Sequence, residues 1–574
     1  MASPREGGRD GTAYLSGIAA RTTLREALAG PPAVLALIVY LVGALVLFGN
    51  PLFHSHQCIC LGTDEGIFIW AFAWWPHALL HGANPFHSNI IYAPEGFNIA
   101  LGALVPGAAL IFSPVTAIAG PLFAYNLAML LCPVLAAFFT FLLCRRLTGQ
   151  FWPSLFGGWF FGFSTYMLGQ LMGHMQMTLV FLIPAIVHLV LRGLAGELSR
   201  RRLFVLLTVA LALQFSFGAE VFVSFTLFGA VALAIGYAFA DARLRASLRG
   251  VLGPIVLAYV ATAVIVSPYL YYAFQPGGLP ILVWRTNMFS NDLLGFVIPT
   301  EVTKFGGTHF LSTSTRFTAG IVEGGAYFGL PLIAIICLGA RRRWRTVAGK
   351  VMIGTLLVVV VCSLGGRLHV NGPTSVPLPW AIAQRLPVLG LALPSRFIVY
   401  GFLLGAVLAA LWLAEAPKRF APWLLAALSI ACLWPALGQG FWRGSPPVPS
   451  LFASSRYRDV ITPHDTALLL PVGISGYSML WQAEAGLRFK MASGYVVPPE
   501  APDPYKDEPA YPILTAGIRV PDVEGAAASF LYTHRVTVAV VDPSLPQATP
   551  WIPILERLGW KAQTVGGVVV LRPA

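Results

Sequence analysis

The chain has 574 residues, of which 57% are apolar and only 11% charged, with a mean hydropathy of +0.73. That balance excludes a soluble globular protein. The net charge of +13 would point to nucleic acid in a soluble chain, but here the excess is Arg and Lys in short loops between apolar blocks, so it reads as membrane topology.

In chain order, the first residues carry Arg5, Arg9, Arg21 and Arg25 and show no clear small-residue cleavage site. They predict a cytoplasmic segment, 1–32, ahead of a retained first helix. Apolar blocks of roughly 18 to 23 residues follow, the length that crosses about 30 Å of hydrocarbon at 1.5 Å per helical residue. They predict spans over 33–48, 122–143, 153–171, 175–191, 203–217, 221–240, 251–272, 321–340, 351–364, 397–414 and 421–437. The fold class is therefore an all-α polytopic membrane domain, 33–438, of about eleven helices. With the N-terminus in the cytoplasm, Arg145 and Arg146, Arg200 to Arg202, Arg243, Arg245 and Arg249, the RRRWR run from Arg341, and Lys418 with Arg419 all fall inside. The apolar segment 101–119 must then not cross; its Pro106 and Pro114 favour a re-entrant or interfacial helix.

Large outer regions remain at 51–121, at 273–320 and over 439–574. In the last, ALLLPV, VTVAVVD and GGVVVLRP read as buried strands, and EGAAASFLYTHR and TPWIPILERLGW as helices, which makes a small extracytoplasmic α/β domain. It has no cysteine and no Gly-rich phosphate loop, so substrate shaping or partner contact is expected of it rather than catalysis. Cys132, Cys144, Cys337, Cys362 and Cys432 lie in or beside apolar blocks, and Cys58 and Cys60 alone lie in a loop, so no disulfide framework is expected.

The first outer region opens on TDEG, with Asp64 and Glu65 just after the first span, and continues through Trp70, Trp74 and Trp75 to His77 and His81, an aromatic pattern suited to an interfacial helix. A carboxylate there can act as general base on an acceptor hydroxyl. Helix capping by Asp64 fits the same residues equally well.

This layout resembles the GT-C superfamily of membrane glycosyltransferases: a cytoplasmic N-terminus, a long first outer loop with interfacial helices, many spans and a soluble C-terminal domain. The stretches WWPHALLHGANPF, GHMQM, NDLLGFVIPT and SMLWQAEAGLRFKMASGY look like those of poorly characterised bacterial GT-C-like proteins. The resemblance implies Asp64, paired with Glu65, as catalytic base, and Glu95 of YAPEGFN as the second acidic residue of the loop. It implies a sugar on a polyprenyl phosphate as donor, membrane lipid as a partner, and a glycan or lipid acceptor that the sequence does not identify. The sequon-binding and Lys-containing phosphate motifs of particular GT-C families are absent, so sugar and acceptor do not carry over.

A phosphate leaving group calls for a cation. Arg396 of PSRF, at the head of a span, is the preferred candidate over Arg285, Arg367 and Arg385, against the alternative of a snorkelling anchor. Glu220 and His174 sit at hinges between spans, where ionisable groups tend to line cavities, and are assigned to the substrate pocket with His77 and Asp292. Asp292 also reads as a cap after Ser290 and Asn291. His77 and His81 have ligand spacing but no HExxH motif, and the metal question stays open: no cofactor is identified, and a divalent cation is compatible. The expected function is transfer of a sugar at the extracytoplasmic face, with a lipid or glycan transporter, or an envelope-assembly scaffold, as alternatives; few charges lie in the spans, against a transporter. A bacterial inner membrane fits the charge asymmetry and the lack of an N-x-[ST] sequon, and no nucleic-acid partner is expected.

Overall fold

A computed structural model describes residues 30–62, 64–102, 104–275, 283–416, 419–454, 456–496 and 504–574. The segment 1–32 therefore lies almost wholly outside the described residues, as do Lys418 and part of the loop 273–320.

Each expected span has a helix or a broken helix in its place. Six helices are long and apolar enough to cross a membrane: Pro31–Phe48, Pro121–Thr148, Met175–Leu194, Ala219–Phe239, Ala242–Ile265 and Pro394–Glu415. Arg200–Phe217 is as long as the first of these but opens on three arginines, and Leu330–Arg343, Val347–Ser363 and Phe420–Cys432 are shorter. Pro121–Thr148 forms the centre, packed on Pro31–Phe48, Phe151–Gly162, Leu182–Leu194 and Ile398–Glu415. The helices reverse direction so that the Arg-rich turns share one end of the bundle. There Ser199, Asp241 and Thr346 open three helices by accepting the N–H groups of Arg202, Leu244 and Gly349.

Segment 101–119 forms two short helices, Pro106–Ile111 and Ser113–Ala119, that meet at Phe112. Each is about 10 Å long, a third of a hydrocarbon core. Four expected spans are broken: 175–191 into Met175–Thr178 and Leu182–Leu194, 251–272 at Val266, and also 153–171 and 321–340. The block 153–171 is Phe151–Gly162 followed, after a break at Phe163 and Ser164, by Thr165–Gln170. The block 321–340 begins with a single turn, Gly320–Glu323, and its long helix starts only at Leu330. The two irregular stretches pack backbone to backbone: Thr165 Oγ1 donates to the carbonyls of Gly325 (3.0 Å) and Tyr327 (2.8 Å). Gly325 is required there, because a Cβ would lie 2.7 Å from Tyr166 Cα.

At the end of the bundle opposite the Arg-rich turns sits a five-stranded mixed sheet in the order Lys490–Met491, Thr466–Leu470, Val538–Val541, Val568–Pro573, Trp560–Val565. The first three strands are parallel and the last two pair antiparallel. The three strands and two helices expected from sequence are present; Lys490–Met491 and Trp560–Val565 were not foreseen. The helix expected to run through Trp560 is Trp551–Arg557, and Gly559, at φ +84°, turns the chain into the edge strand instead. The sheet region is bonded to the first loop: Met491 N–H donates to Ile90 O (2.8 Å), Ala93 N–H to Met491 O (2.9 Å) and the Tyr92 hydroxyl to Gly494 O (2.9 Å).

Candidate functional site

Asp64 stands at the start of helix Glu65–Leu80, yet its side chain caps nothing. The loop before it is tied down where Leu61 N–H donates to Met172 O (2.9 Å), which brings Asp64 beside the hinge residue His174. Asp64 Oδ1 accepts the Tyr495 hydroxyl of the C-terminal region at 2.8 Å, and Oδ2 lies 3.4 Å from His174 Nε2. Its side chain is still 37% exposed. The local alternative of a helix cap is thus not what the carboxylate does.

Behind His174 runs a chain of buried charges. His174 Nδ1 faces Gln170 Oε1 at 3.0 Å and Glu323 Oε1 at 3.2 Å. The other Glu323 oxygen accepts from Gln170 Nε2 at 3.0 Å. The Arg396 guanidinium grips Glu323 through Nε, at 2.9 and 3.1 Å, and through Nη2, while Nη1 reaches Glu220 Oε2 at 2.5 Å. Glu220 Oε1 accepts the backbone N–H of Leu393 at 3.1 Å, one turn before Arg396 on the same loop. Arg396 is therefore held between two carboxylates. Both edges of its planar donor fork are engaged by these carboxylates, with which a phosphate would have to compete.

Burial would raise the Asp64 carboxyl, but hydrogen bonds and charge from His174, the Tyr495 hydroxyl and the Arg396 charge hold it below its ordinary value. Burial would lower His174, but its hydrogen bonds to Asp64 and Glu323 and the Glu323 charge push it up to about 9. Burial would raise Glu323 too, yet the Arg396 charge and the His174 contact keep it far below its ordinary value. At neutral pH the cluster holds an ionised Asp64, a protonated His174 and an ionised Glu323.

These groups line one end of a cavity of about 1320 Å³. It continues past Trp75 and Tyr269 to Ile111, Val209 and Ile265, which are 56%, 53% and 58% exposed on the flank of the bundle. Arg285 also lines it, its guanidinium 5.5 Å from the Phe289 ring, and the C-terminal region contributes Ile474, Tyr495 and Val496.

Of the residues singled out by sequence, Asp64, His174, Glu220 and Arg396 meet here. Four others do not line the cavity. Glu65 turns inward beside the Cys58–Cys60 disulfide. Glu95 lies 3.3 Å from His534 on the C-terminal region. His77 stacks on His81 at the far end of its helix. Asp292 accepts the backbone N–H groups of Leu294, Asn371 and Gly372, so it ties loops together. Glu323 and Tyr495 were missed. Glu323 carried a readable signal, a lone carboxylate at the edge of an apolar block, where such groups tend to be functional.

The donor set does not fit a divalent cation, which needs several oxygens converging on one open point. The Glu323 and Glu220 oxygens are taken by Arg396, Gln170 and Leu393, and the ring nitrogens of His174 point at carboxylates. Cys58, Cys60 and Glu65 form a compact cluster of ligand types, but the sulfurs are bonded to each other.

The fold is similar to that of several solved membrane proteins. The Archaeoglobus fulgidus oligosaccharyltransferase AglB, solved with an inhibitory peptide and a dolichol-phosphate, superimposes with a TM-score of 0.52 at 14% identity over 95% of this chain and 75% of its own. The Archaeoglobus fulgidus oligosaccharyltransferase in complex with Zn and sulfate gives 0.54 at 15% identity, over 94% of this chain and 73% of its own. Apo ArnT from Cupriavidus metallidurans gives 0.50 at 15% identity, over 93% of this chain and 97% of its own. No curated protein matches by sequence. Residues 33–437, which include Asp64, His174, Glu220, Glu323 and Arg396 but not Tyr495, match the family described as Domain of unknown function (DUF6311), and the chain belongs to that family.

Proposed function

We propose that the chain is a membrane glycosyltransferase that moves a sugar from a polyprenyl-phosphate donor to an acceptor hydroxyl, on the membrane face that carries residues 439–574, with Asp64 as general base. The observation that carries this reading is the position of Asp64: an ionised, part-exposed carboxylate at the mouth of a cavity whose other end is apolar and open to the flank of the bundle. A lipid chain lies in the apolar end, and the sugar and phosphate reach the charged end. The acceptor oxygen attacks the anomeric carbon, the carbon–oxygen bond to phosphate breaks, the acceptor proton passes to Asp64, and polyprenyl phosphate leaves. Arg285 faces the departing phosphate, and His174, Glu220 and Glu323 hold the wall beside Asp64.

The test compares lipid-linked sugars and envelope glycans by mass spectrometry in a deletion strain carrying wild type or Asp64→Asn. Loss of a general base lowers transfer by about 10²- to 10⁴-fold. A sugar that disappears on deletion, returns with wild type and does not return with equally expressed Asp64→Asn supports the reading. Full restoration by the variant removes Asp64 from the role.

A further inference from the structure

We infer that His174 stands as an imidazolium against Asp64, positioned by Glu323 and by the Glu220–Arg396 pair behind it, and that sugar transfer at Asp64 needs no divalent metal ion. The inference rests on the functional reading above and adds to it the source of positive charge.

The hydrogen-bond geometry fixes the state of the ring. Both nitrogens of His174 face acceptors: Asp64 Oδ2 on one side, and Gln170 Oε1 and Glu323 Oε1 on the other. A neutral imidazole has one N–H and would turn a lone pair toward a carboxylate oxygen. An imidazolium donates on both sides. Gln170 is fixed in orientation by the same network, because its amide N–H₂ donates to Glu323 and so leaves its oxygen for the ring.

The groups around the ring come from every packed element. Asp64 and the inward-turned Glu65 come from the helix start after the first span, and Tyr495 from the C-terminal region. Glu323 comes from the turn before Leu330, and Arg396 with Glu220 from behind it. Arg396 is the one cation that opposes protonation of the ring, and it is held by two carboxylates. A metal ion placed beside Asp64 would find a ring that carries a proton on the facing nitrogen and carboxylates already bonded to other donors. The ring sets a positive charge directly against Asp64, where a metal ion would otherwise have to sit. Glu323 acts through His174, so it is a positioning residue.

The experiment uses the full chain purified in detergent. Sugar transfer is followed from pH 5 to 10 in 5 mM EDTA and in millimolar Mg²⁺, Mn²⁺ or Zn²⁺, about the range where weak oxygen sites fill. The expected result is a rate that changes less than about twofold between chelator and metal, with an alkaline limb near pH 9 where His174 loses its proton. Glu323→Gln keeps the side-chain shape but removes the charge, so the limb moves to lower pH whatever the change in maximal rate. A merely structural Glu323 would reduce the amount of folded protein and leave the limb in place.

A second readout does not need activity. Thermal unfolding from pH 6 to 10 shows wild type losing stability as pH rises through about 9, and His174→Asn losing measurably less over the same range. Activity abolished by EDTA and restored by one metal, or an unmoved limb in Glu323→Gln, overturns the inference. If wild type transfers no sugar from any lipid-linked phosphate donor, the functional reading fails, and the thermal titration alone decides the state of His174.

Discussion

Asp64 and Glu65 are neighbours in sequence and opposites in environment. One residue along a helix is a step of about 100°, enough to aim Asp64 into the cavity and Glu65 into the protein. Glu65 is 1% exposed, and neither carboxylate oxygen has a hydrogen-bond partner of good geometry. Burial pushes its carboxyl up to about 8; the nearby N–H groups of Glu65 itself and Gly62 offset this in part, and the Asp64 charge adds to it. It is therefore neutral where Asp64 is ionised, and a neutral carboxyl is no base. The folded chain keeps this proton up to about pH 8, whereas the unfolded chain releases it near 4.5. Its contribution to stability is thus fully present below 4.5 and lost as pH rises through about 8. Glu65→Met removes the buried carboxyl with little change in volume. Above pH 8 the variant unfolds at a higher temperature than wild type, by the equivalent of about 1–3 kcal/mol, and the gap narrows at pH 5. Thermal scans at pH 5, 7 and 9 check this; a gap of constant size across the three removes Glu65 as the titrating group. The pair T-D-E-G was legible as chemistry, but which carboxylate faces the cavity was not, because both choices satisfy the same helix start.

At the scale of elements, hydropathy located the helices and missed their interruptions. A window average treats 321–340 as one block, yet its first turn carries Glu323, whose partner Arg396 lies on another loop of the chain. Only that distant pairing makes the carboxylate affordable, and no local pattern encodes it. The break after Gly162 has the same origin, since Thr165 bonds to Gly325 and Tyr327 rather than continuing a helix. The small residues of GGWFFG, Gly157 to Gly162, carry a close helix contact. Modelling a Cβ on Gly158 puts it 2.1 Å from Tyr40 Oη and 2.5 Å from Ala137 O, and one on Gly162 puts it 2.4 Å from Pro133 O. Helix Phe151–Gly162 therefore lies directly against Pro121–Thr148, as small residues allow. Gly158→Val forces these helices apart and costs on the order of 1–3 kcal/mol through overpacking. It should lower the unfolding temperature and the yield of monodisperse protein in mild detergent, whereas Gly250→Ala, at a glycine with open space around it, should leave both unchanged. Equal behaviour of the two variants would mean that the contact is not tight.

For the whole molecule the question is how a sheet region built from residues after the last helix comes to wall a cavity inside the bundle. Three of the five strands were legible from their apolar runs, but their docking was not, because it rests on single polar contacts far apart in sequence. Gln482 is the clearest of these: its oxygen accepts the Trp70 indole N–H at 2.7 Å, and its amide donates to Ile90 O at 2.9 Å and Phe489 O at 2.8 Å. It is fully buried and joins the helix that follows Asp64, the first loop and the C-terminal region. Gln482→Leu strands the Trp70 N–H and the Phe489 carbonyl, while Ile90 O keeps the Met491 N–H as donor. Each buried group left unpaired costs about 1–3 kcal/mol, and the cost falls on the docked state, since an undocked tail exposes these groups to water. Limited trypsin digestion of membrane vesicles should therefore release the tail faster from Gln482→Leu than from wild type. Adding Trp70→Phe, which removes the stranded indole donor, should recover part of the protection, as expected when two residues share one contact. Because Tyr495 reaches Asp64 only when the tail is docked, the same loosening withdraws a hydrogen bond that keeps Asp64 ionised. The acid limb of the pH profile then moves to higher pH in Gln482→Leu. A tail that stays as protected as wild type, with an unmoved acid limb, would show that docking does not depend on this contact.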